Sequence, residues 1–417
     1  MSLFFLVRKS LRQHALSSVV TIVCVALGAG LMMSVFSLSQ QAEKAFRGGG
    51  FGFDAVLGAR SSKIALIMNA VFHVEPSPGN LPWQQYLDIK QDRRVKFAIP
   101  YALGDNYLGY RVVGTTPELF VDYVGSNGEH FEFGRASRVF DANLREAVIG
   151  STVAERTGLR VGSTFQPYHG LTYNEGDAPH AEVYMVVGVL KPTNTPCDRV
   201  IWIPIDGVFR MEGHVLRGGG TEFEAQHVAE IPDEHKEVSA VMLQFTSKNF
   251  IIKFDQAINK QSKDRTLALI SHEIPLLFER LGLFTQVLRY VAYLVVGVAA
   301  ASILASVYNT MNERRREFAI LRALGARRAT VFTTIVLEAG TIALLGTLLG
   351  FAVYAAIFAV AAWFVGSQVG VILEIDFGHP IFWQAPLGLT LVGAVSGLVP
   401  AFKAYRTGVA DNLIPTS

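Results

Sequence analysis

The chain has 417 residues, 50% of them hydrophobic and 17% charged, with a mean hydropathy of +0.32. This balance is too apolar for an ordinary soluble protein and predicts a membrane protein with a sizeable polar part, built from more than one domain. A net charge of +2 gives no electrostatic claim on nucleic acid or another polyanion, and the two cysteines exclude a zinc framework.

Residues 1–16 carry Arg8, Lys9 and Arg12 and read as a cytoplasmic N-terminus. Residues 17–38 hold no charge, and about 20 such residues suffice to cross a bilayer as a helix. No small-residue cleavage site follows, so this run reads as a retained first span. Residues 39–284 are mixed in composition and form the large domain. Within it "VKFAIPYALGDNYLGYRVVGTT" and "AEVYMVVGVL" read as strands, rich in β-branched and aromatic residues and bounded by Gly, Pro and Asn. A helix is predicted from Ser151 to Thr157, with a turn at Gly158. "EGHVLRGGGTEFEAQH" has the glycine content of a flexible loop. "PLLFERLGLFTQVLRY" reads as a helix that runs on into the second span as a stalk. An α+β domain follows.

The second span is residues 285–308 and the third 331–365, apolar apart from Glu338. A helix of that third run would measure roughly 50 Å, more than a hydrocarbon core needs. With Gly340, Gly346 and Gly350 inside it, one long, bent or protruding helix is expected. Residues 386–402 form a shorter fourth span and 403–417 a tail. The loop 309–330 carries six arginines, whereas 366–385 has Glu374 and Asp376 and neither Lys nor Arg. With four spans every basic segment falls on one side. Both termini and the 309–330 loop are then cytoplasmic, and 39–284 and 366–385 lie outside.

Catalytic machinery is not visible. There is no G-x-S-x-G, no H-E-x-x-H and no G-x-x-x-x-G-K-[ST] phosphate loop. His73, His130, His169, His180, His214, His227, His235 and His272 fall outside the spans. "HAE" at 180–182 and "HVAEIPDEHKE" at 227–237 tempt a metal reading, but the spacings match no standard motif. Dispersed surface histidines are expected, with no metal ligand assigned, and a transition-metal site in this domain is the alternative. Cys24 lies in an apolar run and Cys197 in a polar region, so both read as free thiols, with pairing of Cys197 between chains as the alternative.

One segment stands out, "NERRREFAILRALGARRATV", residues 312–331. At 100° per residue Phe318, Ile320, Leu321 and Leu324 share an arc of about 160°, while Arg315, Arg316 and Arg322 fall opposite. Gly325 sits where a helix would end in a left-handed cap. A short amphipathic helix at the inner membrane surface is expected. A basic loop on lipid headgroups accounts for most of this pattern equally well. Glu317 speaks against it, because it falls within the apolar arc, where a protein groove with a basic partner would accept a carboxylate and lipid would not.

"ERRREFAILRALGARRATV" closely resembles the segment after the second span of FtsX/MacB-type ABC-transporter permeases, the type VII ABC class. The resemblance extends to the layout of one span, a large outer domain and three further spans, which is also that of lipoprotein-release permeases. "VVGTTPELF" (112–120), "EAVIGSTVAERTGLRVGSTF" (146–165) and "VVGVLKPTNTPCDRVIWIPI" (186–205) are similar to the MacB-type periplasmic core domain, and "GLVPAFKAYRTGVADNL" to the family's ending. The resemblance implies a membrane protein with four transmembrane helices and a large α+β extracytoplasmic domain of two subdomains between the first two. Residues 206–245 would be its more variable part, and 285–410 an FtsX-like permease domain. It further implies a multi-pass protein of the bacterial inner membrane that works as a homo- or heterodimer and is not itself an enzyme. ATP would be bound by a separate cytoplasmic ABC ATPase, leaving no cofactor in this chain. Glu313, Arg314, Glu317, Phe318, Ile320, Leu321, Arg322, Leu324 and Gly325 would form the helix that docks on that ATPase. The implied function is transmission of ATP-driven motion to the outer domain for export or release of a substrate. A periplasmic adaptor or substrate-binding protein would be a further partner, alongside membrane lipid. The alternative is a membrane sensor or scaffold that regulates an extracytoplasmic partner in signalling or in cell-wall hydrolysis.

Overall fold

The computed structural model describes residues 3–48, 51–125, 128, 130–174, 176–211, 216, 230–280, 282–369, 373, 375 and 377–406. The chain divides into two compact units: residues 1–41, 281–363 and 374–417 form one, and residues 42–280 with 364–373 the other.

The first unit begins with α1 (Leu3–Gln13) and α2 (Ala15–Gly48). Among its described residues the second unit holds twelve strands: β1 (Ala55–Ala59), β2 (Leu81–Pro82), β3 (Val95–Tyr107), β4 (Tyr110–Thr115), β5 (Glu146–Ile149), β6 (Thr164–Phe165), β7 (Tyr168–His169), β8 (Tyr184–Val189), β9 (Val200–Pro204), β10 (Glu237–Val238), β11 (Ala240–Phe245) and β12 (Arg265–Leu269). Its helices are α3 (Lys63–Ala70), α4 (Trp83–Lys90), α5 (Glu118–Val121), α6 (Ser151–Thr157), α7 (Ile205–Phe209), α8 (Lys248–Gln261) and α9 (Ile270–Arg280). The chain returns to the first unit in α10 (Gly282–Glu313), α11 (Arg315–Ala323), α12 (Arg328–Val369), α13 (Ile381–Ser396) and α14 (Leu398–Arg406).

Ten strands form one mixed sheet in the order β12-β1-β11-β3-β4-β9-β5-β8-β6, with β7 paired to β3. β3 is long enough to serve two neighbours in turn. Its first half pairs with β11 up to Tyr101, and its second half with β4 from Ala102 onward. The β3–β4 hairpin turns through Leu108 and Gly109, both at positive φ, the geometry that follows the right-handed twist of the strands. Apolar side chains alternate to both faces. Ile201, Ile203, Val241 and Leu243 enter one core, and Val200, Trp202, Ala240 and Met242 the other. Both faces are therefore covered, and the strands read as continuous apolar runs.

Residues 206–245, expected as the more variable part of the domain, end in β11, which lies inside the sheet between β1 and β3. The glycine-rich stretch 212–227 lies, Leu216 apart, outside the described residues. Helix α6 covers the predicted residues and stops at Gly158, whose φ of 76° serves as its left-handed cap. The stretch predicted as helical falls on α9 in the second unit and α10 in the first; Leu281 between them lies outside the described residues.

Among the described residues four helices are long and apolar enough to cross a membrane: Ala15–Lys44, Gly282–Glu313, Arg328–Gly366 and Ile381–Lys403. α12 is a single helix of 42 residues, far longer than the roughly 30 Å of a hydrocarbon core. Its glycines act as contact points. A Cβ added at Gly346 would lie 2.5 Å from the Cβ of Val25, and one at Gly350 2.6 Å from that of Ala29. On α2, a Cβ at Gly30 would lie 2.5 Å from Val353. This is small-residue packing, which lets helix backbones approach where lipid supplies no hydrophobic drive. Polar contacts join it: Ser37 Oγ lies 3.2 Å from the Tyr354 hydroxyl, and Ser17 Oγ 2.9 Å from Ser306 Oγ. The fourth helix begins at Ile381 and includes Pro386, where the sequence placed its start.

Candidate functional site: the helix between the second and third spans

α10 passes into α11 through one turn residue, Arg314. Its N–H still donates to Thr310 O at 3.1 Å, and its carbonyl accepts from the Phe318 N–H at 3.0 Å. The helix closes with two reciprocal bonds, Gly325 N–H to Arg322 O and Ala326 N–H to Leu321 O, each 3.0 Å, around Gly325 at φ 98°. This Schellman arrangement satisfies the last carbonyls and needs a residue without a Cβ at the left-handed position. α11 is thus a separate, capped helix.

Its apolar residues split between two environments. Phe318 is 8% exposed and packs with Val307, Met311, Val331, Ile335 and Ala401, and Leu321 lies against the same cluster. Ile320 is 44% exposed and Leu324 80%. The broad arc read from the sequence is therefore half occupied by the protein's own core. Glu313, Glu317 and Gly325 are exposed, and Arg322 is half-buried.

Arg314 is turned inward and buried. Its Nη1 donates to Ser10 Oγ at 2.6 Å and lies 3.8 Å from Glu338 Oε2, while Ser10 Oγ donates to Glu338 Oε1 at 2.6 Å. Its Nε donates to Glu317 Oε2 at 3.0 Å, and its guanidinium stands 5.1 Å from the Phe318 ring centroid. Residues of α1, α11 and α12 thus meet around one guanidinium. Gln13 Nε2 donates to Glu317 Oε1 at 3.4 Å, and His14 Nδ1 lies 3.0 Å from Glu313 Oε2. Partial burial works to raise the Glu317 pKa. The hydrogen bond and charge of Arg314 outweigh it, Gln13 and Lys9 add to them, and the carboxyl is held below its usual range.

The odd carboxylate of the sequence thus has its basic partner within the chain, three residues before it. It is no sign of an external basic groove. Ser10, Gln13, His14 and Glu338 went unassigned in the sequence. For Glu338 the signal was present, as the lone charge in the third apolar run, where an ionisable residue demands a partner. Ser10 carries no such mark, because its role arises only from a contact 328 residues along the chain.

In the second unit the histidines are not uniformly at the surface. His180 is buried, and His73 is half-buried with its Nδ1 enclosed. Loss of hydration, assisted by the charge of Arg111, pushes the His73 imidazole down to about 3. His214 and His227 lie outside the described residues. Cys197 is buried, which pushes its thiol up to about 12; both cysteines are free.

Comparison with known proteins gives the frame for these features. Residues 18–230 match the MacB-like periplasmic core domain, and residues 290–409 the FtsX-like permease C-terminal domain. An uncharacterized ABC transporter permease of Methanocaldococcus jannaschii is 24% identical, over 98% of this chain and 95% of its own length. The macrolide export ATP-binding/permease protein MacB of Escherichia coli is 24% identical over 64% of this chain, which spans only 37% of that protein. Among solved structures, the periplasmic region of MacB from Actinobacillus actinomycetemcomitans aligns with 55% of this chain and 94% of its own, at 11% identity and a TM-score of 0.33. The extracellular domain of the noncanonic ABC-type transporter YknZ from Gram-positive bacteria aligns with 51% of this chain and 98% of its own, at 14% identity and a TM-score of 0.29. With a family model covering more than half of its residues, the chain belongs to the FtsX/MacB-type ABC transporter permeases.

Proposed function

We propose that this permease is the membrane subunit of a complex in which a separate cytoplasmic ATPase docks on α11, and that α11 passes the ATPase's motion to the extracytoplasmic domain for export or release of a substrate. In this reading the complex holds two permease chains and two ATPase chains, and both termini lie in the cytoplasm with α11. The observation that carries it is Leu324. It is a leucine 80% exposed at the end of a capped helix whose other face is fixed by Phe318, Leu321 and the buried Arg314. A docking helix needs one apolar face for the partner and a second hold on its own protein, so that force on it is transmitted rather than absorbed.

This division of α11 sets which residues should matter for docking. Losing a large apolar side chain from a packed interface costs about 2 kcal/mol, roughly thirtyfold in affinity, whereas a rim charge costs far less. Leu324→Ala and Ile320→Ala should each lower the amount of ATPase co-purified with the permease, while Arg316→Ala leaves it nearly unchanged. Leu321→Ala should act first on the stability of the permease itself. Full retention of the ATPase by the Leu324→Ala, Ile320→Ala double variant, at matched expression, would contradict the proposal.

A further inference from the structure

Among the described residues, one group of three metal-ligating side chains converges, and it lies in the extracytoplasmic domain: Asp105, His169 and His180. One ligand atom from each falls within 4.8 Å of the others. Asp105 Oδ1 lies 3.3 Å from His180 Nε2 and 3.6 Å from His169 Nδ1, and the two imidazole rings stand 5.6 Å apart at 76°. Zinc holds nitrogen and oxygen ligands at about 2.0–2.2 Å. The edges of such a tetrahedron are roughly 3.4 Å long, so the two separations from Asp105 Oδ1 suit two of its edges, and the two imidazole nitrogens lie within 4.8 Å of each other for the third.

The backbone builds this cluster. Asp105 follows a bulge in β3 and is the direct antiparallel partner of His169 in β7, so both side chains stand on one face of the sheet. The Gly170 N–H donates to Gly104 O at 2.9 Å, and Asn106 Nδ2 donates to Gly170 O at 3.0 Å, which fixes the chain just after His169. His180 is brought back by its own N–H, bonded to Pro167 O at 2.8 Å, and by Gln166 Nε2, which donates to its carbonyl at 2.9 Å. Asp105 is 1% exposed and His180 8%, whereas the His169 side chain is 67% exposed. Two ligands are thus set in the protein and the third is reachable from solvent.

We propose that Asp105, His169 and His180 form a binding site for a divalent transition-metal ion of the zinc type, open to solvent at its fourth position. Two imidazoles favour zinc, cobalt, nickel or copper over calcium or magnesium, which take oxygen ligands. Three protein ligands and one free position describe a site that exchanges its ion or presents it to another group, unlike a closed structural centre. This takes up the alternative to dispersed surface histidines that the sequence leaves open. It stands independently of the ATPase proposal, since it rests on the extracytoplasmic domain alone.

The test uses the full-length chain in detergent, stripped with a chelator and titrated with zinc in a calorimeter and with cobalt by visible absorption. One ion per chain should bind, and cobalt should develop ligand-field bands. Loss of a group that merely orients a ligand typically costs about 10–100-fold in metal affinity, and loss of a ligand should cost no less. His169→Ala, at an exposed position that leaves the fold intact, and Asp105→Asn should each weaken zinc by at least about tenfold and abolish the cobalt bands. His130→Ala, at an exposed histidine outside the cluster, should change neither. Absence of saturable zinc binding, or binding with the same affinity and stoichiometry in His169→Ala and Asp105→Asn, would overturn the proposal and leave the three residues as a hydrogen-bonded brace.

Discussion

The extracytoplasmic domain and the membrane unit bury their interiors by different physical means. In the domain, a sheet with both faces covered encloses large side chains, with Trp202, Tyr123, Tyr184 and Phe254 all below 2% exposure. Water drives that burial, and area is the currency of its stability. In the membrane unit the contact points of α2 and α12 are Gly30, Gly346, Gly350 and Ala29, supplemented by Ser37–Tyr354 and by the Ser10–Arg314–Glu338 cluster. Lipid gives no hydrophobic reward for bringing helices together, so closeness and hydrogen bonding decide. A substitution that is severe in one unit should therefore be mild in the other.

The largest effects should come from one buried group in each unit. Trp202→Ala removes a fully buried indole from the sheet and should cost about 3–5 kcal/mol, read as loss of cooperative unfolding and gain of protease sensitivity in the extracytoplasmic domain. Arg314→Ala leaves Glu338 buried beside Ser10 without its cation, and breaking such a pair costs about 3–5 kcal/mol. The paired substitution Arg314→Met, Glu338→Leu should recover most of that loss in thermal unfolding of the detergent-solubilised chain. If the double variant is as unstable as the single one, the cluster holds the helices by something other than charge compensation.

Smaller effects sharpen the contrast. Gly350→Leu overpacks a contact that has no room for a Cβ and should destabilise the membrane unit by about 1–3 kcal/mol, although it adds apolar surface. A water-facing helix would tolerate the same change. In the extracytoplasmic domain, His73 gives a pH signature. Its folded pKa is depressed to about 3, so below its unfolded value near 6.5 the unfolded chain takes up a proton that the folded one refuses. Stability from this group is complete above about pH 6.5 and declines as pH falls toward 3, by at most about 1.4 kcal/mol per pH unit. His73→Asn, which tolerates the positive φ of 56°, should flatten the fall in unfolding temperature between pH 6.5 and 5. An unchanged slope in that variant would assign the pH dependence to other groups.

Features that depend on neighbours in sequence were legible before the structure. The helix over 151–157, its stop at Gly158, the amphipathic α11 and its left-handed cap at Gly325 all follow from local periodicity and a glycine. The partner of Glu317 was three residues away and still missed, because Arg314 was assigned to the docking helix as a contact for the ATPase and not as an ion-pair partner within the chain. Long-range partners were beyond reach. Asp105 meets His169 and His180 through the pairing of β3 with β7, and no spacing in the sequence encodes that pairing. Gly346 and Gly350 were legible as glycines but not as contacts, since a helix can carry glycine for bending or for close approach. Likewise the apolar arc of α11 was right as a pattern, yet it could not show that Phe318 faces inward while Leu324 faces out.

The central claim is that the exposed end of α11 meets an ATPase while its buried face holds the permease together. A photo-crosslinking amino acid placed at Leu324 in living cells tests it most directly, with Leu283, 73% exposed at the opposite, extracytoplasmic end of α10, as the control. The account predicts one protein adduct from position 324, identified by mass spectrometry as a polypeptide with a nucleotide-binding phosphate loop, and none with that polypeptide from position 283. Adducts from position 324 with lipid alone would contradict it.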